Sequence, residues 1–328
     1  MPYSDRTTVA ARSSCQNNRR NTIQSTRAAR SSAVTMAVVL ASGCVWGIWS
    51  AVATAADHGG ETYYVSVGDS YPAGFRPNGA GPGSTSLDAF VYQVQDKLAQ
   101  RRDGWATVNF ACSGETAYAM TFEPGCESAA LAPGGAHYPD IPQAVAAADF
   151  IGAHRDRIGL VTIVMGGNDV LRCLDEGDAA GAQRCAEVEV PRVVLSVDSL
   201  LSRIRGTLGP TAPIIGTSYI NAFVADRLKG DPSAQRRADF SVALFDNYLN
   251  PALLQTYSKF DAHFVDTTTL ADGDLPATDK SALPGHGTVT ASIARVCALT
   301  YYCSEGDPHP NRAGHALIAG EIERLIGL

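Results

Sequence analysis

The chain has 328 residues, 45% of them hydrophobic and 18% charged, which is enough to bury one sizeable α/β core. Its formal net charge of −7 becomes −12 when a basic leader is set aside, because 20 basic residues then face 32 acidic ones. Such a surface repels phosphate backbones, and nucleic acid is excluded as a partner on that ground.

Residues 1–56 differ in composition from the rest. Arg6, Arg12, Arg19, Arg20, Arg27 and Arg30 stand among Ser, Thr and Asn, and an uncharged run follows from Ala33 to Ala56. That order reads as an export signal, with Ala53-Thr54-Ala55 supplying small residues for cleavage after Ala55. An uncleaved membrane anchor is the rival reading, since the run is long enough to span a bilayer with its basic flank inside. Leu40-Ala41-Ser42-Gly43-Cys44 matches a lipoprotein cleavage box weakly, because Ala41 stands where Leu is usual and the run continues past Cys44. Residues 57–328 are then expected to form a single domain, secreted or held at the cell envelope.

In chain order, the first strand is expected over Tyr63–Gly68, running into Gly68-Asp69-Ser70-Tyr71. The Gly/Pro/Ser-rich stretch Pro77–Ser86 reads as a loop at the rim of a site, and Leu87–Arg101 as a helix. A second strand, Thr107–Ala111, ends at Cys112-Ser113-Gly114, and the helix Ile141–His154 precedes a third strand, Leu160–Met165, which ends at Gly166-Gly167-Asn168-Asp169. Pro191–Leu208 has Val193, Val197, Leu200, Leu201, Ile204 and Leu208 on one face, with Pro191 read as a first-turn residue whose missing N–H costs nothing. Strand Pro213–Ser218, helix Ser233–Tyr257, strand His263–Thr267 and helix Asn311–Ile326 complete the series. Short apolar strands alternating with amphipathic helices predict an α/β fold around a five-stranded parallel sheet. Ligands of such sheets sit beyond the carboxyl ends of the strands, where the polar turns gather.

Six cysteines follow the leader: Cys112, Cys126, Cys173, Cys185, Cys297 and Cys303. An even count in an exported chain suggests disulfides, for which sequence alone allows 15 pairings. Pairing of neighbours is the economical choice: Cys112–Cys126, Cys173–Cys185 and Cys297–Cys303. The chain has no Cys-x-x-Cys pair and no clustered histidines, so neither a metal nor another cofactor is expected.

Ser70 alone would read as a helix N-cap. Beside it, however, the turns at Gly114 and Asn168 offer a backbone N–H and a side-chain amide, and Asp307-Pro308-His309-Pro310-Asn311 precedes the last helix. Acyl transfer needs a nucleophile, a base and donors for the developing oxyanion. Ser70, His309, and the Ser70 N–H, Gly114 N–H and Asn168 amide would supply them.

Gly-Asp-Ser near the start of the domain, a Gly after the second strand, Gly-x-Asn-Asp after the third and Asp…His-Pro before the last helix together resemble the four blocks of the GDSL or SGNH hydrolases. Gly-Asp-Ser-x-x-Ala-Gly-Phe, Cys-Ser-Gly-Glu-Thr and the Cys-x5-Cys ahead of His-Pro-Asn resemble their exported, disulfide-containing actinobacterial branch. The resemblance covers nearly all of Tyr63–Leu328. It implies a three-layer, flavodoxin-like α/β/α sandwich and a serine esterase or lipase, with Ser70 as nucleophile, His309 as base, and Ser70, Gly114 and Asn168 as oxyanion hole. The implied substrate is a small-molecule or lipid ester; the protein is expected to be a monomer, with transient association with membrane or envelope. An acetyl esterase or acyltransferase acting on glycans, and a non-catalytic lipid- or glycan-binding surface protein of the same fold, are the alternatives.

The chain departs from the family pattern in two places. Tyr71 stands where the family motif has Leu, and the acid expected three residues before the histidine is replaced by Gly306. Asp307, two before, is favoured to orient His309, with the Gly306 carbonyl as the alternative. Asp69 and Asp169 are expected to brace their own turns, His315 to lie on the surface of the last helix, and His286 to be solvated. The loops Tyr71–Ser86 and Thr121–Pro139 are expected to shape the acyl pocket.

Overall fold

Apolar runs that are buried on both faces form the centre of the molecule, as expected of strands in a parallel sheet. The computed structural model describes residues 60–272, 275 and 278–328, so the export-signal reading of residues 1–56 lies outside the described residues. The strands are β1 (Thr62–Gly68), β2 (Arg76–Asn78), β3 (Gly81–Ser84), β4 (Trp105–Asn109), β5 (Ile158–Val164), β6 (Ile214–Thr217), β7 (His263–Val265), β8 (Lys280–Leu283) and β9 (Gly287–Thr290). Five of them form one parallel sheet in the order β4-β1-β5-β6-β7. Counting only those five, the order is 2-1-3-4-5, the flavodoxin-like arrangement, and its switch point lies between β1 and β5. The other four strands pair as two small antiparallel hairpins. Pro77–Ser86, expected as a loop, is therefore largely the β2–β3 hairpin. His286 is exposed at the β8–β9 turn.

The helices are α1 (Ser70–Ala73), α2 (Phe90–Arg101), α3 (Ala117–Phe122), α4 (Gln143–Ala153), α5 (Gly167–Leu171) and α6 (Ala179–Leu208), then α7 (Pro232–Ala243), α8 (Asn250–Ser258), α9 (Thr267–Asp272), α10 (Ala291–Leu299), α11 (Tyr302–Glu305) and α12 (Arg312–Leu325). Helix α6 packs against α4 and α8, and α12 against α2 and α10, giving the two helical layers around the sheet. Among the described residues no helix is long and apolar enough to cross a membrane.

Two helices differ from expectation. Helix α6 begins at Ala179, capped by the Asp178 carboxylate accepting the Gly181 N–H at 2.7 Å, so Pro191 lies in its interior and not in its first turn. A proline there costs about 3 kcal/mol. Ala182, Ala186 and Val190 extend the buried stripe of Val193, Val197, Leu200 and Ile204 upstream through the proline, and their burial carries the helix across it. The segment Ser233–Tyr257 divides into α7, a π-helical turn over Leu244–Leu249, and α8. Pro251, at the start of α8, has no N–H to return to the preceding turn, and the wider turn accommodates that loss while burying Leu244, Phe245 and Leu249.

All three disulfides join the expected partners. Cys112–Cys126 anchors the turn after β4. Cys173–Cys185 ties the 3-10 segment Arg172–Asp175 to α6, and Cys297–Cys303 ties α10 to α11 immediately ahead of Asp307.

Candidate active site

Ser70 opens α1 directly after β1, at the switch point of the sheet. The preceding Gly68 has φ 149°, and a Cβ there would fall 2.2 Å from the Val164 carbonyl oxygen of β5, so only glycine admits this approach. The buried Gln143 amide grips the same glycine from the side, accepting its N–H at 2.8 Å and donating to its carbonyl at 3.0 Å. The Ser70 turn is thereby held from both sides.

His309 follows the αL residue Gly306, which ends α11. Its carbonyl accepts the Tyr301 N–H at 3.0 Å, and the Phe75 ring lies 4.5 Å from the imidazole, centroid to centroid. Imidazole Nε2 is 2.8 Å from Ser70 Oγ. Asp307 Oδ1 accepts from His309 Nδ1 at 2.7 Å and from the His309 backbone N–H at 2.9 Å. With Nδ1 protonated and bound to Asp307, Nε2 is left to accept the Ser70 hydroxyl proton. It is the Asp307 carboxylate, not the Gly306 carbonyl, that meets the imidazole. Burial pushes the Asp307 carboxyl upward, but the two hydrogen bonds from His309 and the histidine's charge outweigh it, and the net position is below the ordinary carboxylate value.

The turn after β5 faces Ser70. Gly166, with φ 113°, caps α5, and Asn168 lines the same cleft as Ser70 and His309. One Asn168 Nδ2 hydrogen is donated to the Glu115 carbonyl at 2.7 Å, leaving the other free. Gly114, with φ 88°, precedes Glu115; it does not line the cleft, and among the described residues its N–H has no acceptor. The Ser70 N–H, in the first turn of α1, has no intrahelical partner. Thus Ser70, His309, Asp307 and Asn168 converge, and Gly114 stands one residue from the carbonyl that anchors the Asn168 amide.

The two acidic neighbours behave differently from each other. Asp69 braces its own turn as expected, accepting the Tyr71 N–H at 3.1 Å. Asp169 instead reaches across to α3 and accepts the Ala117 N–H with both oxygens, at 2.9 and 3.2 Å, fixing the turn that carries Gly114. Burial pushes Asp69 up to about 6, against hydrogen bonds from Tyr219 and the Tyr71 N–H, and pushes Glu115 up to about 7, helped by the charges of Glu123 and Asp69.

Several residues of this site carry no sequence motif. The Tyr219 hydroxyl donates to Asp69 Oδ2 at 2.5 Å and accepts the Gly167 N–H at 2.8 Å, so one phenol links the Ser70 turn to the Asn168 turn. The apolar walls of the cleft are Leu171, Ile220, Phe223 and Phe245. Of the two loops expected to shape the pocket, the first supplies Tyr71, whereas no residue of Thr121–Pro139 lines the cleft. The walls come instead from α5, the 3-10 segment Ala222–Lys229 with the residues just ahead of it, and the π-helical turn. His315 is also misplaced by the sequence reading. It is 1% exposed, packed near Tyr71 and Phe90, and burial pushes it down to about 3, so it is neutral. Its position three and seven residues before the buried Ile318 and Ile322 was the available signal.

A model of the GDSL-like lipase/acylhydrolase family matches residues 66–317. Among solved structures, a lipase from a goat rumen metagenome is 20% identical, covering 81% of this chain and 97% of that one with a TM-score of 0.46. An acetylxylan esterase from Geobacillus stearothermophilus is 17% identical, with coverages of 82% and 96% and a TM-score of 0.42. An extracellular lipase from Streptomyces rimosus is 18% identical, with coverages of 80% and 99% and a TM-score of 0.43. No curated protein sequence matches the chain.

Proposed function

The chain belongs to the GDSL-like lipase/acylhydrolase family, and from that premise we propose that it is an exported serine hydrolase of carboxylic esters, with residues 57–328 as one catalytic domain. The observation that carries the reading is the unbroken hydrogen-bond chain from Ser70 Oγ through His309 to Asp307, at 2.8 and 2.7 Å. Three disulfides support export to an oxidising compartment.

In the proposed reaction His309 Nε2 takes the Ser70 proton as Oγ attacks the ester carbonyl. Asp307, held ionised, stabilises the imidazolium that results. The free Asn168 N–H and the Ser70 and Gly114 N–H groups receive the oxyanion. The tetrahedral species collapses as the alkoxide leaves with the proton from His309. Water, deprotonated by His309, then attacks the acyl-enzyme and returns the serine.

Purified residues 57–328 are expected to hydrolyse p-nitrophenyl esters and to be labelled at Ser70 by a serine-reactive phosphonate. Ser70→Ala should abolish both. Retention of hydrolysis by a folded Ser70→Ala variant would overturn the assignment, and absence of labelling together with absence of hydrolysis would favour a binding protein.

A further inference from the structure

A cavity larger than the cleft at Ser70 lies beside it. The cleft holds ≈ 50 Å3, whereas a neighbouring chamber holds ≈ 610 Å3. The two are lined by the same three chain segments. Leu171 faces the cleft and Leu174 the chamber, Phe223 the cleft and Asp226 the chamber, and Phe245 the cleft and Ala243 the chamber. In the first two segments the facing residues are three apart, roughly one turn, so neighbouring side chains of a single segment stand between the two spaces there.

Phe223, one of these side chains, is held by two neighbours. The Arg237 guanidinium carbon lies 4.8 Å from its ring centroid, and the Tyr302 ring meets it edge-on at 5.5 Å. Arg237 lines the chamber, and the Tyr302 hydroxyl donates at 2.5 Å to Asp226, a carboxylate only 1% exposed that also pairs with Lys229 at 2.6 Å. Buried Asp226, with its partly exposed partners Lys229 and Arg237, therefore braces the ring from the chamber side. What remains beside Ser70 has room for about three or four water-sized groups, at roughly 10–15 Å3 each.

We propose that Phe223 sets the acyl-chain length of the substrate by walling the end of the small cleft, so that the enzyme acts on esters of short acyl groups of about two to four carbons. This rests on the Ser70 reading above. The acyl group lies between Leu171, Ile220, Phe223 and Phe245 while its carbonyl faces Asn168. A longer chain meets the Phe223 ring edge, and its excess methylenes have no apolar room within the cleft.

The test is kcat/KM over p-nitrophenyl esters of two to twelve carbons for the wild type, Phe223→Ala and the milder Phe223→Leu. The wild type is expected to prefer two to four carbons, with kcat/KM falling roughly tenfold or more by eight. Phe223→Ala should raise the ratio of eight-carbon to two-carbon activity by roughly tenfold, and Phe223→Leu should raise it by less. A wild-type optimum at eight carbons or beyond overturns the proposal even if neither variant folds, as does an unchanged ratio in either variant that still cleaves the acetate. Failure of the underlying reading looks different: the wild type then cleaves no ester of any length, or Ser70→Ala cleaves as well as the wild type, and the proposal falls with it.

Discussion

Replacing Tyr219 with phenylalanine removes one oxygen and leaves the ring against Tyr71, with centroids 4.8 Å apart. Two contacts are lost. The buried Asp69 carboxylate loses the hydroxyl donor at 2.5 Å, a bond to a charged group worth about 1.5–3 kcal/mol, and the Gly167 N–H loses its acceptor, at about 1–3 kcal/mol for a buried unpaired donor. Together the loss is about 2.5–6 kcal/mol, or roughly 5–12 °C in Tm for a domain of this size. The penalty depends on pH. Asp69 sits at about 6 against an ordinary 3.8, with burial as the main cause, so its ionisation opposes folding. Its favourable contribution is complete below its unfolded value, is lost as pH rises through about 6, and amounts to about 3 kcal/mol. The Tyr219 hydroxyl is the strongest group easing that charge, so Tyr219→Phe should lower Tm more at pH 8 than at pH 5. Thermal unfolding of both proteins by circular dichroism at the two pH values measures this. An equal loss at both, or a loss below about 2 °C, would refute the role given to the Tyr219–Asp69 bond.

Asp307→Ala removes the acceptor of two His309 hydrogen bonds and is expected to lower kcat by about 10²–10⁴ with little change in KM, read by ester hydrolysis; a loss under tenfold would mean that a Ser-His pair suffices. Asn168→Ala is expected to lower kcat by about 10²–10³, the 2.7–4 kcal/mol typical of an oxyanion donor, and unchanged turnover would exclude the Asn168 amide from that role.

The parts of the molecule that were legible in the sequence are those where chemistry or periodicity is local. Each strand of the central sheet was expected within about two residues of its observed limits, because a buried parallel strand is a short apolar run ended by a polar turn. Ser70 and Asn168 lie within such turns and His309 in the short turn before α12, so the motif and the fold place them together. What was missed depends on burial across distant segments. Pro191 was read by its local preference, which the buried stripe of α6 overrides. His315 was read as polar and hence exposed, although helix periodicity puts it on the face of Ile318 and Ile322. Asp169 was assigned to its own turn, and its partner lies 52 residues away at Ala117. Gln143 sits on the far side of the sheet's first crossover, and nothing adjacent in sequence marks its grip on Gly68.

This division between legible and illegible parts follows from how the site is built. The groups proposed to react come from strand ends and from the turn before α12, where geometry constrains them: glycine at 68 for the approach to β5, an αL residue at 306 to end α11, and a disulfide immediately before it. The walls come from Leu171, Ile220, Phe223 and Phe245, whose only requirement is to fill space. A wall side chain can change in volume without disturbing the Ser70–His309–Asp307 chain, because none of the four hydrogen-bonds through its side chain to a member of it. Substrate choice in this molecule is therefore separable from its chemistry: substitution at Phe223 should move chain-length preference while leaving the pH profile of kcat in place, since the groups that titrate in the reaction lie on other elements.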